Sequence, residues 1–529
     1  MLKKSLALAL AAVGLLSAGP TTRVNSWTTP HVLTISDGDA LTTLNPHLAQ
    51  SAPVANLSEL TMAWLIRWDE HNRAYPELAT AVPSTANGGV SADGRTITYH
   101  LRKGVMWSDG APFTAADVAF SAAAVNNPAN NEQGRWDMIS RVETPDKYTV
   151  VFHLKKRYSP SIETFFSSCC ANPSILPKHL LGKYHSINNA PYNALPVGIG
   201  PFKFARWDRK KQVVLVANSR YWRGRPKLDK IVYRIVPNRD ALLAQLQAHT
   251  LDMWYQFGGA YLARIQSLPG YTVFKQPSYA YNHIDFNITH PAVSDPVVRR
   301  ALRFALNRQA IVDQVGHGIG IVQDSATPVN APYFVDLGAT PYDPAKANAS
   351  LDQAGWVRGA DGIRAKAGVK LDLVFAAVSG APDNDKALAF LIKDWGQVGV
   401  RVRVHHFPSA QFFDHVIYGN AWDVTTFAWG ADPMGDYSPY YGCRSFPPAA
   451  ANNIRWCNKT AQTAMDALFG HFEQSGRTAD VRVLMKQLID DAPTIVSTMR
   501  VDMFGYNKDL KNYHPNDVTI FDNMMDVDI

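Results

Sequence analysis

The sequence is poor in cysteine and in long apolar segments. Cysteine accounts for 4 of 529 residues, and the four lack the paired spacing of zinc ligands. After the first residues, no segment stays apolar and uncharged for the ~20 residues that a membrane-spanning helix needs. These absences argue against a structural zinc site and against an integral membrane protein. We expect no metal and no cofactor.

The common signatures of catalysis are missing too. The chain has no G-x-S-x-G turn for a serine nucleophile, no H-E-x-x-H zinc motif and no glycine-rich phosphate loop. The adjacent His405 and His406 have no third ligand nearby in the sequence, so a solvated pair is the simpler interpretation. We therefore expect a protein that is not an enzyme, with an exported hydrolase as the remote alternative.

Charge of one sign is not concentrated anywhere. The formal net charge is +7, without a block of five or six like charges and without a basic stripe interleaved with aromatic residues. Nucleic acid is therefore not an expected partner. With 46% hydrophobic and 18% charged residues the composition is that of a soluble globular protein. A chain of 529 residues is long enough for two or three lobes with a closed pocket between them.

The N-terminal residues are typical of a secretory signal peptide. A basic start, Met1–Lys4, precedes an apolar run from Leu6 to Ala18. Cleavage after Gly19 would place a proline at the start of the mature chain, which signal peptidases disfavour, so we assign the leader to residues 1–26, ending at the alternative site Val24–Ser26. Because no cysteine lies nearby, a lipid anchor is excluded and a periplasmic location is expected.

The four cysteines form two groups. Cys443 and Cys457 lie among proline, glycine and asparagine residues, and in an oxidising compartment they are the expected disulfide pair. Cys169 and Cys170 are adjacent, so they could form only a strained bridge and are expected to pack or to stay reduced.

Hydrophobic periodicity indicates a mixed arrangement of strands and helices. Alternation predicts strands at 97–101, at 148–152 after a turn at 144–146, and at 400–404. Thr114 followed by Asp117 predicts a capped helix start. The strongest helix signal has Asp295 as N-cap and Pro296 at the first position, with an apolar stripe up to Gly316. Separate strands are predicted around 271–274 and 283–287. The fold class is therefore α/β, or mixed α+β.

Aromatic residues are concentrated in one stretch near the C-terminus. Rigid aromatic walls suit a pocket that accepts varied side chains or sugar faces, although ordinary core packing accounts for at least half of such residues. The stretch contains Trp422, Phe427, Trp429, Tyr437, Tyr440, Tyr441 and Trp456.

Six segments, in order along the chain, resemble the solute-binding family 5 proteins, the dipeptide- and oligopeptide-binding receptors of bacterial importers. They are Leu41–His47, LRKGVMWSDGAPFTAADVAFS (101–121), VGIGPFKFARW (197–207), NSRYWRGRPKLDKIVYRIV (218–236), SDPVVRRALRFALNRQAIV (294–312) and WDVTTFAWGADP (422–433).

The resemblance implies a periplasmic binding protein-like fold of the large three-lobe type. Lobes I and III would close on a ligand around a hinge, with lobe II packed on lobe I. The corresponding ranges are lobe I at 27–71, 191–281 and 492–529, lobe II at 72–190, and lobe III at 282–491.

The resemblance also implies where the ligand binds. Trp429 to Asp432 is similar to the family's W-x-x-D element, in which the aspartate receives the ligand's α-ammonium and the tryptophan forms a wall of the pocket. Asp432 could instead simply start the turn at Pro433. Asp436 is the second candidate acid, and Tyr437 and Trp422 are further candidate pocket residues.

Some features expected of peptide binders are missing. The loop 51–56 has a valine where certain oligopeptide binders have an acidic residue, and neither 425–426 nor 378–381 offers an arginine for a ligand carboxylate. The implied function is a receptor that captures di- or oligopeptides and delivers them to the permease subunits of an ABC importer. A receptor for an oligosaccharide or a metal chelate remains the alternative, and a monomer is expected.

Overall fold

The computed structural model describes residues 24–39, 41–48, 51–131, 136–168, 173–380, 382–447, 450–516 and 518–529. Most of the predicted leader, together with Cys169 and Cys170, lies outside these residues. The strands are β1 Val32–Ser36, β2 Ile66–Trp68, β3 Ala74–Pro76, β4 Thr96–His100, β5 Ile139–Asp146, β6 Thr149–Leu154, β7 Phe202–Asp208, β8 Gln212–Ala217, β9 Lys230–Arg234, β10 Met253–Tyr255, β11 Tyr271–Phe286, β12 Val357–Arg358, β13 Arg364–Lys366, β14 Val369–Lys370, β15 Asp372–Val378, β16 Arg401–Phe407, β17 Val424–Gly430 and β18 Thr494–Asn507.

Helices connect these strands and cover the sheets. They are α1 Ala52–Thr61, α2 Ala115–Asn126, α3 Ser161–Thr164, α4 Lys178–Leu181, α5 Arg239–Gln247, α6 Leu262–Gln266, α7 Pro291–Ser294, α8 Pro296–Phe304, α9 Arg308–Gln314, α10 Pro344–Gln353, α11 Pro382–Gln397, α12 Ser409–Gln411, α13 Ser438–Tyr441, α14 Lys459–Leu468 and α15 Gln474–Asp491. The mixture of parallel and antiparallel strands with helices confirms the predicted fold class.

The largest sheet has ten strands in the order β16-β15-β17-β11-β18-β10-β1-β9-β8-β7. Its centre is the antiparallel pair of β11 and β18, which runs from Tyr271 opposite Asn507 to Asp285 opposite Thr494. The register shifts between Pro277 and Tyr281. On one side of this central pair β11 is bonded to β17, and on the other side β18 is bonded to β10. Two long strands therefore carry the chain from one half of the sheet to the other.

Separate hydrophobic clusters lie on either side of this central pair. One is built from residues 63–199 and includes the fully buried Trp107 and Phe152. A second gathers β1, β9 and the C-terminal residues, and a third packs around Trp395 on α11. Several cores in one chain are expected at this length, because a single core stops growing beyond about 250–300 residues. The lobe boundaries assigned from the sequence stay a prediction.

Several local predictions are confirmed. Asp117 accepts a hydrogen bond from the backbone N–H of Thr114 at 2.9 Å, as the capping box requires. Asp295 caps α8 by accepting from the Val297 N–H at 2.9 Å. In β16, Val402 and Val404 are less exposed than their polar neighbours, as the alternation predicts.

Three predictions need correction. The helix expected from Pro296 to Gly316 is two helices, because Asn307 caps a second start by accepting from the Ala310 N–H, while its own N–H donates to Asp394. The turn expected at 144–146 lies at Lys147 and Tyr148, so Tyr148 is not in the strand. The strands expected around 271–274 and 283–287 are parts of one strand, since both pair with β18.

Arg308 fixes α9 against the loop that follows it and against β18. Its side chain is 2% exposed and donates to Asp324 at 2.6 Å and to the carbonyl oxygens of Gln323, Val496 and Thr340. An ammonium group cannot make the same set of hydrogen bonds as a buried guanidinium with this many acceptors.

We expect Arg308→Lys to lower the free energy of unfolding by about 3 kcal/mol, because the planar fork is lost while Asp324 stays buried. Denaturant unfolding measures the change. The matched control is Arg300→Lys, whose guanidinium makes an exposed bond to the Asp490 carbonyl and which should shift stability by no more than about 0.5 kcal/mol. Equal effects in both variants would contradict the assignment.

Candidate functional site

Strand β17 brings the predicted ligand-binding motif to the centre of the sheet. Trp429 lies opposite Tyr281 and Gly430 opposite Ala280, and the Ala431 N–H donates to the Tyr279 carbonyl at 2.6 Å. The chain then leaves the sheet, so that Asp432 lies immediately past the end of the strand. This position is next to the register shift in β11, where the chain passes from one half of the sheet to the other.

Trp429 lies between aromatic rings. Its indole stacks on Tyr440 with ring centroids 4.4 Å apart and lies parallel to the His283 ring at 5.8 Å, and Phe427 meets it edge-on at 4.9 Å. Aromatic pairs of this kind hold a ring in one orientation. Trp429 itself is only half-buried. It therefore presents a fixed apolar wall with part of its surface exposed.

A buried histidine lies beside this wall. His283 Nδ1 is 2.8 Å from Asp285 Oδ1, and Asp285 also accepts from Asn453 Nδ2 at 3.2 Å. Both side chains are almost fully buried. The sequence interpretation missed this pair, although the i, i+2 spacing on a strand places both residues on one face of the sheet. Tyr281 is on the same face and bonds Tyr441 at 3.0 Å.

The side chain of Asp432 accepts hydrogen bonds from the backbone of its own turn. Its Oδ1 accepts from the N–H groups of Met434 at 2.7 Å and Asp436 at 3.2 Å, which is a turn of the kind that the sequence left as the structural alternative. The side chain is partly exposed. Burial, followed by the negative charge of Asp436, raises the pKa of Asp432 to about 7. The two acids therefore interact with each other.

Asp436 is held in the same way by the next turn. Its Oδ1 accepts from the backbone N–H and the hydroxyl of Ser438. Burial raises the pKa of this carboxyl as well. Across the described part of the chain, neither Asp432 nor Asp436 forms an ion pair with lysine, arginine or histidine, whereas Glu163 lies 3.5 Å from Arg477 and Asp324 lies 2.6 Å from Arg308. Two carboxylates without a cation make a site suited to a positively charged group.

The opposite side of the site comes from the N-terminal half of the chain. Trp68 packs against Met434, and the charge of Glu163 adds to the rise in the pKa of Asp432. The charges of Asp436 and Asp432 add to the rise that burial causes in the pKa of Tyr158. The contact of Trp68 with Met434, together with these charge effects, brings segments that are distant in sequence near the turn that contains the two acids.

Hydrogen bonds and one ion pair join residues 157–163 to residues 468–477. Ser159 donates through its N–H to the Phe469 carbonyl at 2.8 Å and through its hydroxyl to the Leu468 carbonyl at 3.0 Å. Arg157 donates to the Gly470 carbonyl at 2.7 Å. Arg477 lies 3.5 Å from Glu163. We name this set of contacts, between 157–163 and 468–477, the cross-cleft clasp.

Tyr437 and Trp422, the other two predicted pocket residues, lie beneath the site. Tyr437 is fully buried and donates to the Ala326 carbonyl at 2.9 Å. Trp422 is 1% exposed and donates to the Val416 carbonyl at 3.0 Å. Both side chains use their polar group within the protein, so in this structure they support the site instead of lining it.

A disulfide fixes the segment that follows the site. Cys443 and Cys457 are bonded, with Cα atoms 4.6 Å apart, as the sequence analysis expected. Inside the loop that they close, Asn452 Nδ2 donates to the carbonyls of Gly442 and Trp456. The loop is therefore held from both ends and from its centre, directly after the helix that carries Tyr440.

Within the described ranges, no three His, Cys, Asp or Glu side chains come together as a metal site. His406 bonds Asp385 at 2.9 Å on the surface, while His405 lines a cavity of about 190 Å³ that His415 also borders. The described residues likewise contain no helix with the length and apolar character needed to cross a membrane.

Comparison with known proteins gives a consistent result. The family model of bacterial extracellular solute-binding proteins, family 5 Middle, matches residues 46–448. Protein XP55 of Streptomyces lividans is 29% identical over 79% of this chain and 74% of its own. The oligopeptide-binding protein AppA of Bacillus subtilis is 27% identical over 70% of each chain, and the dipeptide-binding protein of Escherichia coli is 26% identical over 80% and 82%.

Solved structures share the fold. AppA of Bacillus subtilis, in complex with a nonapeptide, superposes with a TM-score of 0.75 at 22% identity and covers 94% of this chain and 98% of its own. NikZ of Campylobacter jejuni, in complex with Ni(L-His), has a TM-score of 0.77 at 23% identity, covering 95% and 100%. The fold implied by the sequence resemblance is confirmed.

We expect Asp432→Asn to stabilise the unliganded protein more at pH 8 than at pH 5. Because folding raises the pKa of Asp432 from 3.8 to about 7, the folded chain binds a proton that the unfolded chain has released. At low pH Asp432 is protonated in both states and costs no stability. As the pH rises towards 7, ionisation of the unfolded chain lowers the free energy of unfolding. Thermal unfolding midpoints at the two pH values measure the difference.

Asp372→Asn is the control of opposite sign. A hydrogen bond from Arg401 lowers the pKa of Asp372, so its ionised form stabilises the fold and the variant should be less stable at pH 8. Parallel shifts in the two variants would show that Asp432 carries no unfavourable charge.

Proposed function

Since this chain belongs to the bacterial extracellular solute-binding proteins of family 5, we propose that it is the binding subunit of an ABC importer and that its ligand is a peptide. Relatives with 26–29% identity include proteins named for oligopeptide and dipeptide binding. The ligand would bind where Trp429 and Asp432 face residues 157–163. The receptor would then deliver it to the permease subunits.

The observation that carries the peptide assignment is the pair of carboxylates without a cation. Asp432 and Asp436 are close enough to raise the pKa of Asp432, and neither has a basic partner among the described residues. The α-ammonium of a peptide supplies the missing charge through charge-assisted hydrogen bonds. The exposed part of the Trp429 indole would pack on the first side chain of the ligand.

The carboxylate end of a peptide would find no arginine at 378–381 or 425–426. Thr425 and Thr426 use their hydroxyls on the carbonyls of Ala376 and His283. We therefore propose that this receptor fixes the N-terminal end of a peptide and does not select its length through a cation at these positions.

Ligand entry would require the segments on the two sides of the site to move apart. In the described chain β11 and β18 are the central pair of the ten-stranded sheet, and the register shift between Pro277 and Tyr281 interrupts their pairing. Hinges absorb their motion in a few residues of this kind. We propose that the hinge lies there and that closure buries the ligand. Export by the N-terminal leader, a periplasmic location and a monomeric state complete the proposal.

Native mass spectrometry of the protein, isolated after expression with its own leader, identifies the ligand directly. Release of short peptides on denaturation supports the proposal. A carbohydrate or a metal chelate would keep the receptor role and overturn the peptide ligand. Turnover of the bound compound would contradict the receptor role itself.

Calorimetric titration with a bound peptide then tests Asp432. We expect Asp432→Asn to weaken binding about 10–100-fold, because a hydrogen bond to a charged group contributes about 1.5–3 kcal/mol. Acetylation of the peptide N-terminus should cost the same in the native protein and almost nothing further in the variant, since both changes remove one interaction.

Asp361→Asn is the control for this titration. Asp361 pairs with Lys370 on the exposed surface of the separate three-stranded sheet β12-β13-β14, which does not contain β17, and its replacement should leave affinity unchanged. Equal affinity of free and acetylated peptides for the native protein would refute the role of Asp432 while leaving the family membership intact.

A further inference from the structure

The carboxylate of Asp509 binds the first described residues to the protein body. Asp509, just after β18, accepts from the Val24 N–H at 2.6 Å and from the Asn25 N–H at 3.0 Å. Its second oxygen also accepts from the Thr28 hydroxyl at 2.6 Å. These three donors keep the pKa of Asp509 below its ordinary value despite partial burial. The carboxylate is therefore ionised and bound to residues that lie before β1.

The Asn25 side chain fills a site that is built around it. It is 7% exposed, and its Nδ2 donates to the Asn507 Oδ1 at 2.7 Å and to the Gly270 carbonyl at 2.9 Å. Gly270 has φ +82°, and a Cβ on it would lie 2.3 Å from Asn25 Oδ1. The space and the backbone conformation at Gly270 both depend on having no side chain there, which leaves room for Asn25.

The network continues into the sheet. Asn507 Nδ2 donates to the Thr28 hydroxyl at 3.0 Å and to Asp252 Oδ1 at 3.1 Å, and Asp252 in turn accepts from the Thr34 N–H in β1. The N-terminal segment is thus connected to β1, to β18 and to the turn before β10. Polar groups buried in such a network cost stability when one member is removed.

We propose that the leader is cleaved no later than the bond before Val24, so that Val24 and Asn25 remain in the mature protein. Cleavage is hydrolysis of one peptide bond, in which water supplies the hydroxyl of the new carboxyl group and a hydrogen of the new amino group. This proposal does not depend on the ligand.

The alternative site after Ser26 is disfavoured by what it would remove. Cleavage there deletes two of the three donors to Asp509 and empties the site beside Gly270. Asn507 would lose the donor of its Oδ1 as well. The mature protein would then lack the segment that fills the space beside Gly270 and that bonds the buried Asn507.

The intact mass of the exported protein tests the cleavage position. The protein is produced with its native leader and recovered from the periplasm of a Gram-negative host. A mass that begins at any residue from Ala18 to Val24 supports the proposal. A mass that begins at Trp27, or an uncut chain, overturns it.

Stability of defined chains tests the reason for the position. Chains beginning at Gly19 and at Val24 should unfold at the same temperature, because both keep every contact of the network. A chain beginning at Trp27 should unfold at least about 2 °C lower, and Asp509→Ala in the Gly19 chain should reproduce most of that loss. An unchanged midpoint for the Trp27 chain would overturn the stabilising role that the proposal gives to Val24 and Asn25.

Discussion

The hydrogen-bonded register of β11 against β18 is the constraint on which the rest of the structure depends. Side chains alternate faces along a strand, so a slip by one residue would turn every residue of the site to the other face. Tyr281, His283 and Asp285 lie beside Trp429 in the part of β11 that follows the register shift, and Tyr271 lies opposite Asn507 in the part that precedes it. The ligand site and the anchoring of the N-terminal segment are therefore two ends of the same strand pairing.

Buried charges in this protein are satisfied in two ways. Arg67 has two acidic partners, Glu77 at 3.1 Å and Asp522 at 2.7 Å, and Arg308 has Asp324. Charges taken out of water normally need such partners. Asp432 and Asp436 instead accept hydrogen bonds from backbone N–H groups and pair with no cation among the described residues, as does the buried Asp117. What sets Asp432 and Asp436 apart is that two such acids lie close together.

Local sequence signals predicted those features of the fold that depend on interactions between residues close together in the sequence. The cap at Thr114, the pairing of Cys443 with Cys457 and the alternation in β16 depend on neighbouring residues and are present in the structure. The break after α8 was not predicted, because it depends on Asp394, which is distant in sequence and accepts the Asn307 N–H.

The candidate site could be predicted only in part for the same reason. The resemblance singled out Trp429 and Asp432 as ligand-binding candidates, with Asp436 as the second acid, and this role stays a prediction. The burial of Tyr437 and Trp422 follows from packing between segments, which no short sequence pattern reports. His283 was missed because a lone histidine on a strand gives no signal until Phe427 and Trp429 are placed beside it.

The cross-cleft clasp has a kinetic consequence. The bonds from Ser159 and Arg157 to the carbonyls of 468–470 join protein to protein and involve no ligand atom, so the shut form is held by the receptor itself. If the ligand enters at the proposed site, it can do so only while these bonds are broken. The rate of capture at high solute concentration would then level off at the opening rate of the empty protein, so that motion at the proposed hinge, and not diffusion, would limit loading.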